Sequence, residues 1–415
     1  MELPLSTIQT RVLACGMPLF VEVMPSVRSA AVYWMLPAGC ATDPDDREGV
    51  STMMEELLLR GAGARNSKEH ADAADRLGAT RGTTTGTFTM GISSTMLGER
   101  VCDVLPLLVD MVRSPRVEDD AIEATRDLCL QAIESLKDDP QERAMLATRA
   151  RHNPYPINRS GMGTVDGLTR TTRDDLVRFW DRLARPGGSA IAVAGAVNAD
   201  RVERVLNDLL SGWSGVAKAP AVGPMPPRGY AHEDDDSSQV QIVVGYDAPP
   251  EPSPDAVLEK LAISVLSGGM SGRLFTEVRE KRGLCYTVSA GYRGDKEFGT
   301  VIAYVGTAPE RAQQSLDVLL EQLRHITTPE GKVTEEEFRR AKVGMKSGLV
   351  FSGESTSARA GALVTDWRRL GTPRTLEAVA AEIEAVTLDQ LNAYLSKRKL
   401  GRMTIQTLGP AGLKV

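Results

Sequence analysis

At 415 residues, with 42% hydrophobic and 25% charged side chains, the chain has an ordinary globular composition and can bury a large core. A net charge of −6 and only 5% aromatic residues exclude a general nucleic-acid binder, which needs a basic face and stacking platforms. There is no apolar span near ~20 residues and no basic stretch before an apolar run at the N-terminus, so neither a membrane helix nor a signal peptide is expected. The five cysteines, an odd number with no C-x-x-C, read as reduced thiols of a cytoplasmic protein.

In chain order, residues 8–24 predict two short strands with a turn at Gly16-Met17-Pro18, and Ala30–Leu36 predicts a buried strand. A helix is expected over 48–60, stopping at Gly61, and another over Asn66–Leu77 with Ser67 as its cap. The Thr- and Gly-rich stretch Thr80–Leu97 alternates and reads as one extended strand, suited to a sheet edge. Helices follow at 98–113, 118–137 and 140–151. The loop His152-Asn153-Pro154-Tyr155-Pro156 cannot be helical. Thr171–Leu183 is helical, Ala190–Gly195 a buried strand, and Asp200–Leu210 a helix.

Composition then shifts. Ser211–Asp236 collects Gly, Pro and the acidic run Glu233-Asp234-Asp235-Asp236, which reads as a solvated linker. Beyond it the order of elements restarts: strand 239–245, helix 255–266, strands 286–293 and 299–304, helices 309–325 and 334–349, helix 387–398 and strand 402–408. A repeat of roughly 200 residues predicts an α+β protein of two duplicated halves, each a mixed or antiparallel sheet packed with helices. The halves are 1–215 and 237–415, joined by a linker at 216–236.

The stretch Gly49–Arg60 carries the chemistry-bearing pattern. Val50, Met53, Met54, Leu57 and Leu58 make one apolar helical stripe, and Thr52, Glu55, Glu56 and Leu59 lie opposite. Thr52 and Glu56 are one turn apart, with Glu55 between them. Two histidines at that spacing, with a glutamate as base, hold zinc in metallopeptidases; here the frame is present and the histidines are absent.

Five stretches together resemble the pitrilysin, insulinase and mitochondrial processing peptidase family, most of all its short bacterial subunits. They are Gly39–Gly63; Arg126–Pro140; the His152-Asn153-Pro154-Tyr155 loop, with an Asn inserted into His-Pro-Tyr; Ala184–Gly195 followed by Trp213; and Ser267–Phe275 followed by Val278–Tyr286. The last, a Gly-rich turn followed by R-x-K-x-G-L-x-Y, is the most specific. The resemblance implies the processing-peptidase-like metallohydrolase fold and a zinc motif H-x-x-E-H with a glutamate about 75 residues beyond. Laid on this chain, the two histidines fall on Thr52 and Glu56, the base on Glu55, and the third ligand on Gln131 or Ala132. No metal is therefore expected in this chain. His70, His152, His232 and His325 are scattered and read as structural or surface residues.

Arg279 and Tyr286 match the Arg/Tyr pair that family members place over the zinc of the opposing half or partner. A guanidinium and a phenol suit the carbonyl and oxyanion of a scissile peptide. The bland alternative is an Arg279 ion pair with Glu277 or Glu280 and a half-buried strand position for Tyr286. The resemblance thus implies a zinc-free subunit of a heterodimeric metallopeptidase, inactive alone. It would bind extended peptide and lend Arg279 and Tyr286 to a homologous H-x-x-E-H partner that holds the zinc. The alternative is a non-enzymatic scaffold or peptide-binding protein of the same fold. A self-sufficient peptidase of another kind lacks support, since no G-x-S-x-G occurs and no Cys has a His nearby in sequence.

Overall fold

A computed structural model describes residues 7–415; the first six, which open the alternating N-terminal stretch, lie outside the described residues. The first elements are β1 (Thr7–Val12), β2 (Pro18–Val23), β3 (Ser29–Leu36), α1 (Val50–Leu57), the short pair β4 (Gly61–Ala62) and β5 (Arg65–Asn66), α2 (Ser67–Arg76), β6 (Gly82–Thr85) and β7 (Met90–Leu97). They are followed by α3 (Val101–Arg113), α4 (Asp119–Ser135), α5 (Pro140–His152), α6 (Val165–Arg170), α7 (Arg173–Leu183), β8 (Ala190–Gly195) and α8 (Ala199–Leu209). The remainder comprises β9 (Tyr230–Asp234), β10 (Val240–Ala248), α9 (Ala256–Ser267), β11 (Cys285–Gly294), β12 (Gly299–Thr307), α10 (Ala312–His325), α11 (Glu335–Gly353), α12 (Thr356–Leu370), α13 (Leu376–Ala385), α14 (Leu388–Lys397) and β13 (Thr404–Gly409).

The mixed α/β architecture is that of two units. The first comprises the chain up to Ser135, Tyr155–Gly223 and Phe351–Thr375; the second comprises Leu136–Pro154, Pro224–Val350 and Leu376–Val415. The units therefore differ from a single cut at 216–236: α5 belongs to the second unit and α12 to the first.

The first unit's sheet runs β1-β2-β8-β3-β7-β6, antiparallel except for β2 with β8. The second runs β11-β12-β10-β13-β9, antiparallel except for β13 with β9. Read from opposite ends, β2-β8-β3-β7-β6 and β9-β13-β10-β12-β11 are the same order, so β6 and β11 are equivalent edge strands.

Strand β8, AIAVAG, is buried along its whole length because both faces of the first sheet are covered. Ile191 and Val193 join the main core with the α1 stripe Val50, Met53, Met54, Leu57 and Leu58. On the other face Ala190, Ala192 and Ala194 are small enough to admit α12, which packs Ala360, Leu363 and Val364 against them. In the second unit the equivalent face, with Val243, Tyr304 and Leu408, receives Ala144 of α5.

Several local expectations change. Thr80–Leu97 is a hairpin, because Gly86 N–H donates to the Thr89 carbonyl (2.8 Å) and turns the chain between β6 and β7. Asn66, not Ser67, caps α2: its side chain accepts the Glu69 amide and Glu69 returns the bond. Part of the expected linker is strand β9, whose residues Tyr230–Asp234 pair with β13. Its acidic end is not merely solvated, since Arg143 bonds Glu233 and Asp235.

The α12 face also holds an ion pair. Glu22 of β2 is fully buried and Arg359 of α12 nearly so; Arg359 Nε donates to both carboxylate oxygens (3.1 and 2.9 Å). Arg359→Ala leaves a buried carboxylate unpaired and should cost about 3–5 kcal/mol in urea denaturation. The double variant Glu22→Leu/Arg359→Leu should recover most of that loss; a single variant as stable as the parent would contradict the pairing.

Candidate functional site

Helix α1 is fixed from its N-terminal side. The Asp43 carboxylate accepts the amides of Gly49 (2.7 Å) and Ser51 (3.0 Å), supplying acceptors for otherwise orphaned helix donors. Burial pushes the Asp43 carboxyl up to about 6, against the pull of those amides and of Arg159. Buried Arg159 in turn donates to the carbonyls of Cys40 (3.2 Å) and Asp43 (2.6 Å). Gly49 sits at φ +112°, and a Cβ there would come within 2.6 Å of Leu168; both demand glycine. Arg159 is not visible as a site-positioning residue in the sequence, because the carbonyls it holds lie far along the chain.

On the outer face of α1, the Thr52 hydroxyl donates to the Gly161 carbonyl at 2.6 Å. Glu55 and Glu56 are half-buried. Helix α4 packs against α1 and brings Cys129 into the field of both carboxylates: burial pushes the Cys129 thiol up to about 11, and Glu56 and Glu55 add to the rise. Gln131 and Ala132 follow on the same helix and are exposed.

These residues do not fit the zinc that H-x-x-E-H and a downstream glutamate hold. Thr52 is a neutral hydroxyl already donating to a carbonyl, Ala132 carries no donor atom, and Gln131 offers only an amide. Among the described residues no group of three or more His, Cys, Asp or Glu side chains is placed to hold a metal. The histidines are separate: His70 contacts the Leu107 carbonyl and Arg81, His152 Thr404, His232 Thr407, and His325 Thr328.

Alongside α1 runs the edge strand β6, paired only with β7. Thr85 Oγ1 reaches the Ser51 carbonyl at 3.5 Å. The open edge is thus 82–85, while 90–97 lies inside the sheet.

In the second unit, α9 ends in the turn Gly268–Gly272, which leads to a π-helical segment, Phe275–Glu280, and then to β11. Gly269 has φ +99°, and a Cβ at Gly272 would lie 2.8 Å from the Leu266 carbonyl oxygen. The turn is tied at both ends. Ser267 Oγ accepts the Ala290 amide of β11 (2.8 Å). Arg273 forks onto Glu337 (2.7 and 2.8 Å) and donates to the Gly331 and Lys332 carbonyls. Thr334-x-x-Glu337 is a readable capping-box spacing, but its use as the anchor of Arg273 is a tertiary fact.

Arg279 is exposed and stands over the Phe275 ring, 4.8 Å from its centroid. The bland alternative of an Arg279–Glu277 pair is not made: Glu277 is taken by Lys281 and Arg282, both at 2.6 Å. Tyr286 is 80% exposed, at a register shift between Cys285 and Thr287. Such bulges re-aim a side chain away from the sheet. Burial pushes the neighbouring Cys285 thiol up to about 11, while the Arg279 charge draws it down.

The model of the insulinase family (peptidase family M16) matches residues 20–163, and that of the peptidase M16 inactive domain matches 170–345. The chain belongs to the M16 peptidase family. It is 27% identical to an uncharacterized zinc protease of Mycobacterium tuberculosis over 96% of this chain and 92% of that one. Its fold is similar to a peptidase M16 inactive domain from Pseudomonas fluorescens (21% identity, 99% of each chain, TM-score 0.89). It is similar also to a protease from Helicobacter pylori (18% identity, 97% of this chain and 100% of that one, TM-score 0.83).

The Arg273 anchor gives a pH prediction. Burial alone would raise the Glu337 carboxyl, but the Arg273 guanidinium and the Thr334 amide hold it at about 2, below an ordinary value of 4.5. A depressed folded-state value stabilises above 4.5, and that contribution is lost as pH falls toward 2. The urea midpoint should therefore fall more steeply between pH 5 and 3 in the parent than in Glu337→Gln. Identical slopes would show that Glu337 contributes nothing to acid sensitivity.

Proposed function

We propose that this chain is the zinc-free subunit of a heterodimeric M16 metallopeptidase. One contrast carries the reading: the first unit keeps the α1 frame without a ligand set, while the second presents Arg279 and Tyr286 exposed, with Glu277 taken by Lys281 and Arg282 instead of Arg279. A homologous H-x-x-E-H partner would hold zinc, which supplies an activated water and polarises the scissile carbonyl. This chain's part is to orient peptide and stabilise charge. The Arg279 guanidinium and the Tyr286 hydroxyl would donate to the carbonyl oxygen as it gains charge, where preorganised donors have most effect.

Peptide would join β6 as an added strand, held by main-chain hydrogen bonds. Next to α1 it would be held without being cut, because Glu55 has no metal-bound water to deprotonate. The five free cysteines suit a cytoplasmic setting.

The test is reconstitution with a zinc-bearing homologous subunit and a quenched fluorescent peptide. Arg279→Ala should lower kcat/KM by roughly 10²-fold, the scale of losing one oxyanion donor. Tyr286→Phe should lower it in the same direction, through the lost hydroxyl. Activity unchanged in both variants would reduce this chain to a scaffold for its partner.

A further inference from the structure

We propose that Phe275 is a positioning residue for Arg279: its ring holds the guanidinium in place while leaving the N–H donors available to the carbonyl oxygen of a bound peptide. This rests on the reading that the chain lends Arg279 to the zinc site of a partner.

The two residues are four apart in the π-helical segment, and the guanidinium carbon lies 4.8 Å from the ring centroid. A cation within about 6 Å of a ring centroid is drawn to the negative face of the ring. Among the described residues Arg279 makes no hydrogen bond or ion pair, so the ring is what limits the rotamers of an otherwise exposed, flexible side chain. A ring offers attraction but no acceptor oxygen, and the N–H donors of the guanidinium therefore stay available. A carboxylate anchor would take those donors and cancel the positive charge that a developing oxyanion needs.

The segment is built to keep this arrangement. Leu274 and Val278 are fully buried on either side of Phe275, which is itself partly buried. Leu274 joins the main core of the second unit, and Val278 packs with Leu284 and Val318. The inward side of the segment is thus fixed, and with it the ring beneath Arg279. The acids of the segment are kept away from the guanidinium. Glu277 is two residues from Arg279, a spacing that does not bring side chains together on a helix, and it is held by Lys281 and Arg282. Glu280, adjacent in sequence, forms no ion pair with Arg279 among the described residues.

Reconstitution with a zinc-bearing homologous subunit, followed with a quenched fluorescent peptide, tests this. Phe275→Leu and Phe275→Met remove the ring but keep an apolar side chain. Each should lower kcat/KM about fivefold, through kcat rather than KM, as expected for a contact that serves developing charge. Phe275→Tyr, which keeps the ring, should match the parent. Neither ringless variant should lower activity further in an Arg279→Ala background, since the ring acts through the guanidinium. Parent activity in the ringless variants, or a loss that persists in the Arg279→Ala background, would overturn the inference and leave the role of Arg279 standing. Equal activity of the parent and Arg279→Ala, or no cleavage by the mixture at all, would remove that role and the inference with it.

Discussion

The central strands of each sheet are buried on both faces, and each sheet needs a second covering layer that its own contiguous half of the sequence does not provide. In the first unit the alanines of β8 and the buried Glu22 form a face that only a close-packed helix with a complementary charge can cover. Helix α12 does so with Ala360, Leu363, Val364 and Arg359. In the second unit α5 brings Ala144 to the equivalent face, and His152 at its end bonds Thr404. An uncovered sheet face would expose apolar surface and, in the first unit, strand a buried charge. The exchange of α5 and α12 is thus required by the sheets themselves and fixes which residues belong to each unit.

Within that frame α1 is firmly held, yet Thr52, Glu55 and Glu56 do not make the ligand set of an H-x-x-E-H helix. Its apolar stripe is fully buried, Asp43 closes its N-terminus, and Gly49 lets the preceding loop pass close to Leu168. Thr52 has a structural task, a hydrogen bond to the Gly161 carbonyl that ties the helix to a loop far along the chain. The side chains left without a task are the two glutamates. The second unit shows the converse: Arg273 and Ser267 hold the Gly-rich turn, so that the following segment presents Arg279 and Tyr286 outward.

The duplicated order is legible because strands and helices of both halves keep their periodicity and punctuation, and α1 because its stripe is unbroken over two turns. What escapes is long-range. Strand β9 hides in an acidic, Pro-flanked stretch because a parallel partner nearly 175 residues away (His232 with Thr407) decides its state, not its own composition. The β6–β7 turn hides because Thr and Gly suit both a strand and a tight turn. Exchange of α5 and α12 leaves no local signal at all, since an amphipathic helix does not say which sheet it covers. At the site, Thr52, Glu56 and Gln131 or Ala132 are readable as the positions on which the family's ligand motif falls, whereas the partners that position α1 and the Gly-rich turn, Asp43, Arg159 and Glu337, emerge only when the chain is folded.

On the proposed reading the zinc frame persists in α1 and only its ligands are gone. Metal analysis of the triple variant Thr52→His/Glu56→His/Ala132→Glu beside the parent chain, both dialysed against limiting zinc, addresses it directly. About one tightly held zinc per variant chain and only background metal in the parent are expected. Stoichiometric zinc in the parent, or none in a folded triple variant, would contradict it.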